Sequence, residues 1–194
     1  MKIIKENVKN IYEIKKSKFI TYLYKVNDLD EINNILTNLR NEYKDATHIC
    51  YAYKLNGQVK CSDDNEPSGT AGIPILEVLN KNDLDYIIAI VIRYFGGIKL
   101  GAGGLVRSYS NSVIESLKLT EIVNLIPGYR IKIETEYNNT KKLDYILKDE
   151  LIINKEFNDK VKFEIEIEKN KINNLSEFDY KIEKEVMIQE KKSK

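Results

Sequence analysis

Glycines and arginines are concentrated in one stretch of the chain, residues 91–109, which reads VIRYFGGIKLGAGGLVRSY. An isoleucine-rich segment precedes it and a helical pattern follows it, so the stretch joins a strand to a helix. Glycines let a ligand approach the main-chain amides, and a helix N-terminus adds free N–H groups with a partial positive charge. Arginine offers a planar fork of donors that fits phosphate or carboxylate. The residues of this predicted anion site are Arg93, Gly96, Gly97, Lys99, Gly101, Gly103, Gly104 and Arg107.

Two nucleotide-binding motifs resemble the glycine pattern, and neither is complete. Gly101-Ala102-Gly103 begins like a dinucleotide fingerprint, but Val106 stands where the third glycine is needed. Gly96 and Gly101 have the spacing of a phosphate-binding P-loop, but Ala102 replaces its lysine. No cofactor is therefore predicted. The alternative to an anion site is a loop whose glycines allow a helix and a strand to pack closely, and the residues leave both interpretations open.

A polar loop earlier in the chain carries three acidic residues, Asp63, Asp64 and Glu66. They could hold Mg²⁺, or act as acid and base in an enzyme for a small phosphorylated or carboxylated substrate. The favoured interpretation is that they cap the following turn or pair with the nearby arginines, so no metal site and no catalytic residue is predicted. The loop continues with residues that could add a backbone nest to the anion site: Ser68, Gly69 and Thr70.

The single histidine, His48, lies two residues from Cys50 on a predicted strand. Side chains at this spacing share a face but stand about 6–7 Å apart along the strand, so a nucleophilic Cys–His pair is not expected. One histidine and two cysteines also do not complete a usual zinc site. A packed histidine and a buried thiol are predicted instead.

Charge and composition limit the classes of function. The 194 residues include 31 basic and 30 acidic side chains, a net charge of +1, so any contact with nucleic acid must come from a local patch. Two cysteines fit a reducing compartment, and the segment after Met1 has no apolar core of a signal peptide, so a cytoplasmic location is expected. The longest apolar run, residues 87–92, is too short to span a membrane, and no membrane contact is expected.

Hydrophobic periodicity and turn residues predict a mixed α+β chain of two domains, residues 1–127 and 128–194. The proposed boundary is Pro127-Gly128, and strands are predicted on both sides of it, at 122–126 and 129–136. The second half follows the order βαββαβ of a ferredoxin-like domain, with its second helix at 170–178. Its alternating apolar and charged residues predict an antiparallel sheet with one solvent-exposed face. In the first half, the predicted elements are two strands within 11–26, a helix at 29–43, a hairpin at 47–62 turning at Asn56-Gly57, and helices at 73–79 and 104–118.

Four segments of the first half resemble the Impact/YigZ family. The two longest are SDDNEPSGTAGIPIL at Ser62–Leu76 and VIRYFGGIKLGAGGLVRSYS at Val91–Ser110. ATHICYAY at Ala46–Tyr53 and KKSKFI at Lys15–Ile20 match further blocks in the same order. The second half resembles the family by pattern and position rather than by motif.

The resemblance implies two α/β-sandwich domains, the first with a ribosomal protein S5 domain 2-like fold and the second ferredoxin-like, similar to domains of translation elongation factor G. It also implies a link to translation, which eukaryotic relatives regulate. The expected function is that of a non-enzymatic regulator that binds RNA or the ribosome at the anion site, with further contacts from the exposed face of the second sheet. A metal-assisted enzyme and a module that docks a regulatory protein partner are the alternatives.

Overall fold

The computed structural model describes residues 1–190, and the chain divides into two compact units. The first unit is Met1–Val123, and the second begins at Asn124. No helix among the described residues is both long and apolar enough to cross a bilayer.

The first unit contains an antiparallel sheet with helices on both faces. Its strands are β1 (Lys2–Ile4), β2 (Val8–Ile14), β3 (Ser17–Lys25), β4 (His48–Leu55), β5 (Gln58–Ser62) and β6 (Ile87–Tyr94). Five of them form one sheet in the order β2-β3-β6-β4-β5. The central strand β6 is apolar on both faces because helices cover both, and its residues 87–92 are fully buried. The β4–β5 turn, Asn56-Gly57, has two positive φ angles, 49° and 80°, as a tight hairpin requires.

Three helices complete the first unit: α1 (Leu29–Glu42), α2 (Gly72–Lys81) and α3 (Ala102–Leu117). Helix α1 begins after Asp28, whose carboxylate accepts the N–H of Glu31 at 2.8 Å. It buries Ile32, Leu36 and Leu39 against one face of the sheet. Helices α2 and α3 cover the other face of the sheet. Each of them begins at the end of a loop, α2 after the loop that follows β5 and α3 after the loop that follows β6.

The second unit has the βαββαβ order expected of a ferredoxin-like domain. Its elements are β7 (Ile122–Thr135), the first two residues of which belong to the first unit, α4 (Thr140–Ile146), β8 (Leu151–Phe157), β9 (Val161–Glu168) and β10 (Tyr180–Gln189), with a 3₁₀ helix at Lys169–Leu175. The strands pair antiparallel in the order β10-β7-β9-β8. The predicted α-helix at 170–178 is thus a shorter 3₁₀ helix. The predicted fold class, two α/β domains, is confirmed.

The proposed boundary residues Pro127 and Gly128 lie inside β7, so the two strands predicted around them are one. Gly128 has ladder partners on both sides, Glu168 in β9 and Val186 in β10. A Cβ atom at Gly128 would stand 2.8 Å from the carbonyl oxygen of Ile167. The glycine therefore allows a close approach of β9 rather than a turn, and the division between the units falls four residues earlier than predicted.

Candidate functional site

The loops singled out by the sequence meet at one end of the first sheet. The acidic loop, residues 63–71, follows β5, and the glycine loop, residues 95–101, follows β6. Strand β4 begins at the same end, because His48 stands opposite Arg93 in the β4–β6 ladder. Every side chain of the predicted site belongs to these loops, to the last residues of β6 or to the start of α3.

Asp63 holds the acidic loop closed around the start of α2. Its carboxylate accepts backbone N–H groups from Gly69 at 2.8 Å, Ala71 at 3.0 Å and Gly72 at 2.8 Å. Partial burial would by itself raise the pKa of Asp63, but these three N–H groups outweigh it and lower the pKa. The predicted nest is therefore filled by the protein's own carboxylate. The N–H of Gly69 is one of these three donors, and the N–H and the hydroxyl of Thr70 both donate to the carbonyl oxygen of Pro67, so these groups already have partners within the loop. Ser68 is exposed.

Glu66 is buried and joins three elements. Its Oε1 accepts from Nη1 of Arg93 at 2.6 Å and from the hydroxyl of Tyr109 in α3 at 2.7 Å. Its Oε2 lies 3.7 Å from Nε2 of His48. Arg93 is 5 % exposed, and its guanidinium is neutralised by Glu66. This corrects the prediction that Arg93 binds an external anion, because its positive charge is already compensated by the buried carboxylate of Glu66.

Asp64, His48 and Cys50 also have their polar contacts within the protein. The Asp64 carboxylate accepts the N–H of Ile49 at 2.6 Å, and its carbonyl oxygen lies 2.8 Å from Nδ1 of His48. The Cys50 thiol contacts the carbonyl oxygen of Asp63 and the hydroxyl of Tyr109. Burial raises the pKa of Cys50 to about 12, so the thiol stays protonated and is a poor nucleophile.

These contacts leave little for a metal-assisted enzyme to use. All three acidic side chains proposed as metal ligands or as acid and base have partners inside the protein. Across residues 1–190, no three or more histidine, cysteine, aspartate or glutamate side chains are arranged to hold a metal ion. The acidic loop matches the favoured interpretation, since Asp63 caps a turn and Glu66 pairs with an arginine.

The five glycines of the stretch divide into two kinds. Gly96 serves packing: a Cβ atom there would stand 2.0 Å from the backbone of Lys16, and its N–H donates to Ser17. Gly97, Gly101 and Gly103 are exposed, and Gly101 precedes α3 with a φ of 72°. The packing interpretation therefore holds for Gly96, which leaves the anion site. The exposed glycines and the half-buried Gly104 stay candidates for anion binding.

The start of α3 is open to solvent and positively charged. No side chain caps it, and its first amides belong to small, mostly exposed residues. Arg107 curls back over this end, with Nη1 3.6 Å from the position a Cβ atom of Gly103 would occupy. Lys99 is exposed in the preceding loop. Neither cation forms an ion pair with any residue that the structure describes. Amide donors and free cations in this arrangement are what a phosphate group requires.

The structure adds two lysines that the sequence argument missed. Lys15 and Lys16 form the β2–β3 turn, both with positive φ angles, and the backbone of Lys16 lies against Gly96. Both side chains are exposed and have no ion-pair partner among residues 1–190. We call Lys15, Lys16, Lys99, Arg107 and the first amides of α3 the basic loop surface. In the sequence these two lysines stand out as an adjacent pair and as part of the segment KKSKFI, and nothing local connects them to a loop some eighty residues later.

The exposed face of the second sheet does not resemble this surface. Arg130 contacts Glu166 at 2.7 Å, Lys132 contacts Glu183 at 2.7 Å, and Lys162 contacts Glu134 at 3.5 Å. Because its cations are paired with glutamates, a phosphate backbone would meet carboxylates there. The expectation that this face adds RNA contacts is therefore not supported by its charge arrangement.

The sequence and the structure are both similar to those of known proteins. The model of the Impact N-terminal domain matches residues 15–117. The Bacillus subtilis IMPACT family member YvyE is 38 % identical over 180 residues, which cover 90 % of this chain and 83 % of that protein. The Escherichia coli IMPACT family member YigZ is 35 % identical over 154 residues, 76 % of each chain. A crystal structure of a hypothetical protein has a TM-score of 0.64 and 32 % identity, and covers 91 % of this chain and 89 % of that one.

The first unit is an Impact-type N-terminal domain. Its sheet is covered by α1 on one face and by α2 and α3 on the other, and a glycine loop and an acidic loop lie at one end. The chain belongs to the Impact family, and the predicted resemblance is confirmed.

Proposed function

We propose that this protein is a non-enzymatic regulator of translation that binds RNA, free or within the ribosome, through the basic loop surface. The observation that carries the proposal is the uncapped N-terminus of α3, with Lys99 and Arg107 beside it and Lys15 and Lys16 on the adjoining β2–β3 turn. None of these four cations is neutralised by a residue that the structure describes. Unpaired cations attract an anion, and backbone amides orient its oxygens.

The spread of the cations favours a polyanion over a small phosphorylated molecule. Lys15 and Lys16 lie on one turn, whereas Lys99 and Arg107 lie on the glycine loop and α3. A single phosphate would satisfy the helix N-terminus and one cation. A chain of phosphates can engage both segments, which touch at Gly96.

The test is an affinity measurement with a matched control. Arg107→Gln combined with Lys99→Gln is expected to weaken binding of a structured RNA by about ten-fold or more, because two charge-assisted contacts are lost. Lys81→Gln combined with Lys118→Gln removes the same charge at the far ends of α2 and α3 and is expected to leave affinity nearly unchanged. An equal loss of RNA affinity in both double variants would show that only the net charge of the protein matters, and it would refute the site.

Two arms of the experiment separate the sources of RNA. Binding to protein-free RNA is followed by fluorescence anisotropy, and binding to intact ribosomes by co-sedimentation. Both are expected to depend on Arg107. Ribosome binding that needs Arg107 but survives nuclease digestion of the RNA would point to an acidic protein partner and would contradict the proposal.

A further inference from the structure

Phe95 is an exposed aromatic side chain on the glycine loop. Its exposure is 45 %, although it directly follows a strand whose preceding residues are buried. The Arg93 guanidinium lies 5.6 Å from the centre of its ring and the same distance from the ring of Phe19. Arg93 therefore supports Phe95 from the protein side, and the remaining ring surface faces solvent.

The backbone on both sides of Phe95 is fixed. The N–H of Phe95 donates to the Thr47 hydroxyl at 3.0 Å, and the hydroxyl of Tyr94 donates to Asp45 at 2.9 Å. On the other side, Gly96 is wedged against Lys16. The backbone that carries the ring is thus fixed before any ligand arrives, which lowers the entropy cost of binding.

Unpaired cations lie on the two segments that meet at Gly96, the residue after Phe95. Lys16 touches the residue after Phe95, and Lys99 follows four residues later. Lys18 also has no ion-pair partner among the described residues, but it is only partly exposed and stands opposite Glu13 in the β2–β3 ladder, so it is left out of this set. An aromatic ring among unpaired cations is the combination that binds single-stranded nucleic acid, in which phosphates meet the cations and a base stacks on the ring.

We propose that Phe95 is a stacking platform for an unpaired base, so that the basic loop surface selects single-stranded RNA over duplex RNA. This inference rests on the proposed function and specifies its ligand. Within a duplex the internal bases are stacked on both faces, and a ring on a protein surface cannot reach the face of an internal base without opening the helix. A single strand exposes both phosphate and base.

The absence of tryptophan from the sequence makes the platform directly measurable. Phe95→Trp places one fluorophore at the proposed contact, and Ile98→Trp places one on the same loop at a side chain of similar exposure, 43 %. Both full-length variants are titrated with an unstructured oligouridylate and with an RNA duplex of the same length. Phe95→Ala and Ile98→Ala are compared by anisotropy, with thermal midpoints to verify folding.

We expect oligouridylate to quench the indole fluorescence of Phe95→Trp strongly and that of Ile98→Trp weakly, and the duplex to quench neither variant. Phe95→Ala is expected to weaken oligouridylate binding about ten-fold, with little change for Ile98→Ala.

Three outcomes would overturn the platform. If wild type binds both RNAs equally, Arg107 matters and Phe95→Trp is not quenched, the platform is refuted while the proposed function stands. If wild type binds neither RNA, both fail. Quenching of the Phe95→Trp variant by an acidic peptide, with none by RNA, would also refute the platform.

Discussion

Glu66 connects the two loops of the site through a single buried carboxylate. It accepts from Arg93 at the end of β6 and from Tyr109 in the middle of α3, and it faces His48 at the start of β4. A buried ion pair adds little net stability compared with apolar packing, but removing one partner leaves a buried charge without compensation. The role of Glu66 is therefore to fix the positions of three elements beneath the glycine loop.

Glu66→Gln is expected to destabilise the protein by about 3 kcal/mol, because the Arg93 guanidinium loses its only anionic partner among the described residues while it stays buried. Urea denaturation gives the free energy of unfolding. Glu115→Gln, which breaks the exposed pair with Lys118, is the control and should change stability by about 0.5 kcal/mol or less. Equal costs for the two substitutions would show that the buried pair has no special role.

Asp63 makes stability depend on pH in the acid range. Its pKa is lowered in the folded state by the three N–H groups that it accepts, relative to an ordinary value of 3.8. A lowered pKa means that the folded state favours the carboxylate. The stabilisation is therefore complete above pH 3.8 and is lost as the pH falls towards the folded-state pKa.

We predict that Asp63→Asn costs about 1–3 kcal/mol near neutral pH and that this difference from wild type shrinks as the pH falls below about 4. The measurement is the free energy of unfolding of both proteins across the acid range. Glu77→Gln, an exposed change on α2, serves as the control and should show a small difference at every pH. A difference between Asp63→Asn and wild type that is constant with pH would mean that the carboxylate charge is irrelevant to the loop.

At the scale of elements, the glycine loop performs two separate tasks within a short segment. Its first glycine lets the β2–β3 turn lie against the end of β6, and Gly101 adopts the left-handed conformation from which α3 begins. The first task positions Lys15 and Lys16 beside the loop. The second leaves the amides of α3 uncovered, because a glycine before a helix has no side chain to cap it.

Alanine substitutions should separate these tasks. Gly96→Ala would place Cβ 2.0 Å from the backbone of Lys16, so we expect a loss of several kcal/mol or a failure to fold. Gly103→Ala meets nothing nearer than Arg107 at 3.6 Å and should be neutral or stabilising by about 0.5 kcal/mol, since alanine favours helix. Thermal and urea unfolding measure both. Comparable losses would contradict the division of the glycines into packing and exposed kinds.

Elements with strong local signals could be predicted from the sequence. The apolar spacing of residues 29–43 predicts helix α1, with Asn27 or Asp28 able to cap it, and Asp28 is the cap in the structure. Asn56-Gly57 predicts the β4–β5 hairpin. The prediction of a turn at Pro127-Gly128 was wrong. Both residues usually mark turns, but Gly128 is needed for the close approach of β9, a strand about forty residues away. Pairing of the acidic loop with the nearby arginines was predicted, but the choice of Glu66 and Arg93 as partners was not, because that contact is non-local. The approach of Lys16 to Gly96 is equally non-local, and no periodicity or motif contains it.

At the scale of the whole molecule, the net charge is nearly neutral, but paired and unpaired cations are distributed unevenly over the surface. On the sheet of the second unit, cations such as Arg130 and Lys132 are paired with glutamates. On the basic loop surface, four cations have no such partners within the described residues. Binding of a polyanion should therefore be local to this surface and should release few counterions.

The salt dependence of binding to a single-stranded RNA tests this account most directly. Contacts from Lys15, Lys16, Lys99 and Arg107 predict a slope of about −3 in a plot of log affinity against log salt concentration. Removing Lys15 and Lys16 together, as glutamines, should reduce the magnitude of the slope by about 1.4, while Lys81→Gln with Lys118→Gln leaves it unchanged. A slope near zero in wild type, or the same change in both double variants, would contradict the claim that this surface binds RNA.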